Sequence, residues 1–186
     1  IRGLDFGTVR IGAFTSVAVH WLPGVIKEFQ ADYPNVDIKL LNGDYYDVER
    51  WIEEGSVDLG FVNVPTSIRC ECVPLMEDRL LAILPHGHKF ESYPKFPLVE
   101  CETEAFITLL AIIAMVEKGL GISIMPELLL KGRHDDVVVK ELVPPSKRVI
   151  GLAMTETSKD SPATRRFADY IIDWVKRERP SAIATA

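Results

Sequence analysis

The sequence has 186 residues, of which 47% are apolar, and carries a net charge of −6. This length allows one large domain or two small ones with a sizeable core. The acidic balance argues against a chain that grips the phosphate backbone of DNA by itself, and the apolar runs are too short to span a membrane.

Residues 8–34 predict a strand that leads directly into a helix. Val9–Gly12 reads as a short strand, and either Thr15 or Ser16 is placed to cap the helix that follows. Pro34 ends the helix, because the residue before a proline avoids the α region. One apolar stripe repeats at helical spacing and consists of Leu22, Val25, Ile26, Phe29 and Tyr33. A helix that begins at the end of a strand favours an anion there.

The next segment extends this unit to a βαβαβ pattern. A strand over 36–40 is followed by a turn, a short helix around Val48 and Ile52, and a third strand over 57–62. Such a pattern implies parallel strands, whose carboxyl ends lie at one edge of the sheet. We therefore expect Asn63 and Val64, which follow the third strand, to converge with Thr15 and Ser16.

The remaining chain predicts further strands and three helices. Gly119 is placed to end a helix over 112–118, Pro126 opens a short helix to Leu130, and Ser161-Pro162 opens the last helix. Its apolar stripe consists of Phe167, Tyr170, Ile171, Trp174 and Val175. The predicted strands cover 70–74, 79–85, 96–99, 105–109, 121–125, 137–142 and 148–154.

Two pairs of side chains, which could in principle bind metal or act in redox chemistry, have simpler structural interpretations. Cys70 and Cys72 would lie on one face of a strand. They could form a thiol switch or a soft-metal site, or they could simply be small side chains packed against their neighbours. We favour the packing interpretation, because the pair lacks the partner ligands that a metal site needs. His86 and His88 lack a visible third ligand, so a solvated loop is favoured over a metal site. The sequence thus predicts no metal and no cofactor. Three cysteines without zinc-like spacing indicate a reducing, cytoplasmic location.

At this point the chain resembles the effector-binding domain of LysR-type transcriptional regulators. The resemblance is carried by VRIGAFTSVAVHWLPGVIKEFQADYPNVDIKLLNGD, by GSVDLGFV with PLMEDRLLAILPHGHKF, and by IIAMVEKGLGISIMPELLL with SPATRRFADYIIDWV. It implies an α/β, periplasmic-binding-protein-like (type 2) fold of two lobes, each a doubly wound sheet flanked by helices. Residues 1–84 plus 150–186 would form the first lobe and 85–149 the second.

The chain departs from this family in two places. The family's N-terminal winged helix-turn-helix is absent, and a first residue Ile1 predicts a fragment of a longer protein. Relatives also carry a longer segment where Leu109–Ala111 joins a predicted strand to a helix, and this join has neither a turn residue nor a polar face. We therefore expect residues to be missing at 109–111, with a true deletion as the alternative.

The resemblance implies a sensor that binds a small metabolite between its lobes and thereby modulates DNA binding. By position, Thr15, Ser16, Asn63 and Val64 would line the site from the first lobe, with Thr108 and Pro126 from the second. An anionic effector is favoured because helix N-termini stabilise negative charge. The alternatives are a solute-binding protein of a transporter with the same fold and an enzyme; we find no catalytic constellation, and so predict no enzyme.

The resemblance also implies a homodimer, with a tetramer of the full-length protein left open. DNA would be contacted only through the absent N-terminal domain, and no membrane is implied. His20, Trp21 and Val25 could form an exposed apolar strip on the first helix, because that helix has more apolar positions than one buried face needs.

Overall fold

The computed structural model describes residues 6–98, 109–133 and 135–178, and these divide into two compact units. The described residues up to Glu77 and from Val149 onward form the first unit, and those from Asp78 to Arg148 form the second. The chain therefore passes from one unit to the other at 77–78 and returns at 148–149. The division expected from the sequence was placed at 84 and 150.

The described residues of the first unit form three whole strands, parts of two more, and four α-helices. Its strands are β1 (Gly7–Ala13), β2 (Val36–Asn42), β3 (Leu59–Val64) and most of β8 (Lys147–Met154). Its helices are α1 (Thr15–His20), α2 (Leu22–Asp32), α3 (Tyr45–Glu53) and α6 (Pro162–Arg177), with a 3-10 helix at Thr157–Asp160. Strand β4 (Glu71–Leu84) begins in this unit and continues into the second.

Strand β1 lies between two parallel neighbours. It pairs with β2 along its whole length, from Gly7 opposite Val36 to Ala13 opposite Asn42, and with β3 at Ile11 and Gly12. Strand β8 adds on the far side of β3 in the antiparallel sense. The order β2-β1-β3-β8 contains the predicted βαβαβ pattern and brings the carboxyl ends of three parallel strands to one edge.

Helices cover both faces of this sheet. A Cβ built on Gly7 would lie 3.8 Å from Ala163 of α6, and one built on Gly12 would lie 3.2 Å from Trp51 of α3. Because successive residues of a strand point to opposite faces, α6 and α3 lie on opposite sides of β1. Helix α2 packs on α6, so the two crossovers from β1 to β2 and from β2 to β3 use different faces.

Aromatic side chains join α2 to α6. The ring of Phe29 lies 5.0 Å from that of Phe167 and 5.2 Å from that of Tyr170, both in edge-to-face geometry. A bidentate ion pair between Arg177 and Glu28 adds to this contact at its exposed border. The predicted stripe of α6 is therefore partly confirmed as core, with Phe167, Ile171 and Val175 buried.

The first helical segment differs from the prediction in three respects. It consists of two helices with Trp21 between them, and α2 ends at Asp32 with Tyr33 as its C-cap. The N-cap of α1 is Phe14, and no side chain bonds there, so the predicted cap by Thr15 or Ser16 is wrong: both residues lie inside the first turn.

The predicted exposed strip on this segment is also wrong. Trp21 and Val25 are only 2% and 1% exposed, because the break between α1 and α2 turns them into the core, where Trp21 meets Phe61. His20 is half-buried. The exposed apolar side chain of α1 is Val19, at 57% exposure.

The second unit is built around the second half of β4. It adds β5 (Phe96–Pro97), β6 (Ser123–Pro126), β7 (Val138–Val143), α4 (Leu109–Glu117) and α5 (Glu127–Leu130). Strand β4 pairs antiparallel with both β6 and β7, and β5 lies parallel to β7. Antiparallel pairs thus dominate the described part of this unit, unlike the first.

Several boundaries in the second unit correct the sequence predictions. The two strands predicted over 70–74 and 79–85 are one continuous strand, β4. Pro126 is the last residue of β6 and the N-cap of α5, not its first helical residue. Most of the strand predicted over 105–109 lies outside the described residues, and Leu109 itself belongs to α4.

The packing of α2 against α6 leaves no room for a side chain at Gly24. A Cβ at Gly24 would lie 2.1 Å from the ring of Trp174, although glycine-to-alanine changes in a helix are otherwise stabilising. We expect Gly24→Ala to lower the free energy of unfolding by about 1–3 kcal/mol, the range for overpacking. Urea denaturation measures this. Gly121→Ala is the matched control, since no heavy atom lies within 4 Å of a Cβ there; equal effects of the two changes would contradict the packing account.

Candidate functional site

The first-unit residues predicted for the site share the carboxyl edge of the sheet. Strand β1 ends at Ala13, and Thr15 and Ser16 open α1. Gly12 lies opposite Gly60 in the parallel pairing of β1 with β3, and Asn63 and Val64 are the last two residues of β3, so they lie towards the same edge of the sheet as the end of β1. Asn63 and Val64 are still paired with β8, where Asn63 is exposed and Val64 half-buried.

Two helices begin at this edge, and they differ in whether a side chain accepts a hydrogen bond from the N–H groups of their first turn. In α3 the carboxylate of Asp44 accepts from the Asp47 N–H at 2.8 Å, and Asp47 accepts from the Asp44 N–H at 3.2 Å. In α1 the N-cap Phe14 has no such side-chain bond. A carboxylate of the chain thus already occupies the amino end of α3, whereas no side chain caps that of α1.

Side chains that the sequence reasoning missed hold the loop after β3. Glu49 of α3 accepts from the hydroxyl of Thr66 at 2.6 Å and from that of Ser67 at 2.8 Å. The peptide bond between Val64 and Pro65, just before these hydroxyls, is cis. Nothing in the local pattern pairs a helix residue with hydroxyls seventeen and eighteen positions later; only the fold does so.

In the second unit Pro126 lies at the junction of β6 and α5. It stands opposite Leu80 of β4 and is half-buried. The Leu128 N–H in the first turn of α5 donates to the carboxylate of Asp78 at 2.9 Å. Thr108, the other residue predicted for this side of the site, lies outside the described residues.

A buried ion pair anchors the Asp78 carboxylate. The Arg148 Nε donates to it at 2.8 Å, and the two side chains are 6% and 2% exposed. Burial raises the pKa of Asp78 and outweighs the opposing effect of Arg148 and of the Leu128 N–H. The sequence signal for this pair is the charged dipeptide Asp78-Arg79 before the apolar run 80–84, inside one of the motifs that resemble the family.

A partly buried network continues from this pair. Arg79 forms a bidentate contact with Glu127, with both N–O distances at 2.8 Å, and a third bond to Glu141 at 2.9 Å. Lys95 reaches Glu141 at 3.1 Å. The hydrogen bonds to Glu127 raise the pKa of Arg79 above its ordinary value. Glu127 and Leu128, the first two residues of α5, are thus both bonded to β4.

Cys72 lies on β4 and Cys70 just before it, so the two do not share a strand as predicted; both are free thiols packed beside the core. Cys70 and Cys72 lie against the buried cluster around Val48, Ile52 and Val62. Burial raises the pKa of both thiols, to about 11 for Cys72. This environment suits the packing interpretation, since a reactive thiol needs a lowered pKa.

The two histidines contact different partners. His86 lies between Glu91 at 3.4 Å and Asp136 at 3.2 Å, whereas His88 accepts from the Phe90 N–H. Over residues 6–98, 109–133 and 135–178, no group of three or more metal-binding side chains is found. None of the helices in these ranges has the length and apolar character needed to cross a bilayer.

Comparison with known proteins identifies the family. The model of the LysR substrate binding domain matches residues 2–110 and, in a second match, 108–176. The chain belongs to this family. The relative YvbU of Bacillus subtilis, described as an HTH-type transcriptional regulator, is 25% identical over 198 residues; the match covers 90% of this chain and 68% of that protein.

Solved structures confirm the fold of this LysR substrate-binding domain. The regulatory domain of CcmR from Synechocystis, solved with 2-PG, matches with a TM-score of 0.82 at 20% identity over 94% of this chain and all of that one. The effector-binding domain of QuiR, solved with shikimate, matches with a TM-score of 0.76 at 19% identity over 92% and 98% of the chains. The predicted periplasmic-binding-protein-like α/β fold is therefore confirmed.

These findings favour ligand sensing in a transcriptional regulator over the transporter alternative. The family model describes a substrate-binding domain, and YvbU is described as a regulator. The role of the individual residues Thr15, Ser16, Asn63, Val64 and Pro126 stays a prediction.

We expect Cys72 to be chemically inert at neutral pH. A thiol whose pKa is about 11 instead of 9.0 carries about a hundredfold less thiolate, which is the reactive form. In a Cys70→Ser/Cys101→Ser variant, a disulfide reagent should label Cys72 far more slowly than free cysteine at pH 7.5. Cys72→Ser/Cys101→Ser gives the matched measurement for Cys70. Rapid labelling of Cys72 in the folded protein would favour the thiol-switch alternative.

Proposed function

We propose that this LysR substrate-binding domain senses a small anionic metabolite that binds at the carboxyl edge of its first unit. The observation that carries this is the contrast between the two helix starts at that edge. The chain's own carboxylate caps α3, whereas α1 has no side-chain cap and begins with two hydroxyl residues, Thr15 and Ser16. Backbone N–H groups and hydroxyls together suit a carboxylate or phosphate.

The remaining predicted residues would complete the site. Asn63 offers an exposed amide at the same edge, and Val64 offers an apolar contact beside it. Thr108 and Pro126 would contribute from the second unit. Shikimate, the ligand named for the QuiR domain, is a carboxylate, which agrees with an anionic effector.

We propose that effector binding modulates DNA binding by a parent protein in the cytoplasm. The chain covers 68% of YvbU, so a relative of this kind has room for a DNA-binding domain. With its net charge of −6, the domain itself is expected not to bind DNA. An enzymatic role is not proposed, because the curated relatives are described as transcriptional regulators.

We also propose that the chain lacks a segment at 109–111. The family model matches in two pieces that meet at residues 108–110, which is where the sequence has a strand joined to a helix without a turn. A second-unit contribution to the site is therefore expected to involve residues beyond Thr108 in a complete relative.

Removal of a site hydroxyl should weaken anion binding. We expect Thr15→Ala and Ser16→Ala each to reduce affinity about tenfold to hundredfold, which corresponds to a charged hydrogen bond of about 1.5–3 kcal/mol. Calorimetric titration measures this, once a thermal-shift screen of small carboxylates, phosphate and sulfate has found a ligand. Thr15→Ala should change stability little, because the Thr15 side chain does not cap α1.

The control for this experiment lies at the opposite edge of the same sheet. Thr157 is exposed on the 3-10 helix after β8, beside the amino end of β3, so Thr157→Ala should leave binding unchanged. If both edge variants bind as tightly as the wild type, the proposed site is wrong. If Ser16→Ala alone loses binding and stability together, the buried Ser16 acts through the fold.

We propose a homodimer in which α1 and β2 of the first unit contribute to the interface. Val19 is 57% exposed on α1, and Leu40 is 41% exposed on β2, which pairs with β1 alone among the described strands. Val19→Glu should shift the protein from dimer to monomer in light scattering at micromolar concentration. Tyr46→Glu, which changes an exposed residue of α3, is the control. A wild-type protein that is monomeric throughout would contradict the dimer; whether full-length dimers pair into tetramers is a separate measurement.

A further inference from the structure

The two partners of one buried ion pair lie at the two points where the chain passes between the units. Asp78 is the first residue of the second unit, and Arg148 is its last before the chain returns. Their side chains are nearly inaccessible, at 2% and 6% exposure, and join at N–O distances of 2.6 and 2.8 Å. Both residues lie seventy positions apart in sequence, so only the fold brings them together.

This pair is bonded directly to the amino end of α5. The second carboxylate oxygen of Asp78 accepts from the Leu128 N–H at 2.9 Å. The N-cap of α5 is Pro126, which has no side-chain oxygen to satisfy that N–H. Asp78 on β4 therefore supplies the hydrogen-bond acceptor that the N-cap residue of α5 lacks.

The neighbouring residues strengthen the same connection. Arg79, adjacent to Asp78, holds Glu127 through two bonds of 2.8 Å, and Glu127 is the first residue of α5. Two consecutive residues of β4 thus bond two consecutive residues of α5. Because the Arg79–Glu127 contact is bidentate and the Asp78–Arg148 pair is buried, these groups fix orientation as well as distance.

We propose that Asp78 and Arg148 are positioning residues, whose ion pair holds the first turn of α5, and with it Pro126, to the two segments where the chain passes between units. This inference rests on the proposed role of Pro126 in effector binding. Pro126 is the N-cap of the turn whose Leu128 N–H donates to Asp78, so a ligand at Pro126 would contact a turn that is bonded to this ion pair.

Hydrogen exchange at the Leu128 amide tests the positioning step without any ligand. In the Asp78→Leu/Arg148→Met double variant, which replaces the pair by apolar side chains and so avoids an unpaired buried charge, the Leu128 amide should exchange about tenfold to hundredfold faster. Amides of Val9 and Ile11 in the first unit should keep their rates. Asp135→Asn, which breaks an Arg133–Asp135 ion pair of the same unit, is the control.

A second variant guards against a general loss of structure. Asp78→Asn keeps an oxygen that can accept from Leu128 but removes the charge that holds Arg148. It should broaden or shift the Arg148 Nε–H resonance while Leu128 keeps part of its protection. Unchanged exchange at Leu128 in the double variant, or equal acceleration there and at Val9, would overturn the positioning role.

Titration with inorganic phosphate separates this inference from the proposed function. If phosphate shifts the Thr15 and Ser16 amides and also the Leu128 amide and Arg148 Nε–H signals, both hold. If phosphate shifts the first pair only, the coupling through Asp78 and Arg148 is wrong while the anion site stands. If phosphate shifts neither pair, the anion site loses support, and the Leu128 exchange rate alone decides the positioning role.

Discussion

The arrangement of the first unit depends on β1 being paired in parallel on both sides. Hydrogen bonding to β2 and β3 fixes the direction of three strands at once, and a parallel neighbour demands a crossover on a face of the sheet. The crossovers use opposite faces, so Gly12 and Gly60 must admit α3 closely, while α2 and α6 cover the other side. The starts of α1 and α3 and the loop after β3 then meet at one edge.

Electrostatics in the two units serves different purposes. Just before β3 of the first unit, Asp58 accepts three hydrogen bonds from Arg10. Burial raises the pKa of Asp58, but these hydrogen bonds outweigh it, so the pKa is lowered overall. In the second unit, burial prevails at Asp78 and raises the pKa. The Asp78–Arg148 pair is therefore a costly way to gain stability, and an apolar pair could replace it with little loss. Its place at both chain passages explains better why charge is used there.

The sequence predicted the elements better than their junctions. Hydrophobic spacing located α2, α3 and α6, and the Ser161-Pro162 start of α6 is confirmed by the bond from the Thr164 N–H to Ser161. The break at Trp21 was not foreseen, because both helices continue one apolar pattern, and the break alone decides that Trp21 is buried and Val19 exposed. Glu49 with Thr66, and Asp78 with Arg148, join residues distant in sequence, which local patterns cannot pair.

The central claim is that an anionic effector binds where β1 meets α1. Chemical-shift mapping of the backbone amides, while small carboxylates and phosphate are added in turn, tests it most directly. The account predicts that the ligand which binds most tightly shifts the amides of Thr15, Ser16 and Asn63 first and most strongly. Saturable shifts confined to other residues, such as those of α6, or no saturable shift with any of these anions, would contradict it.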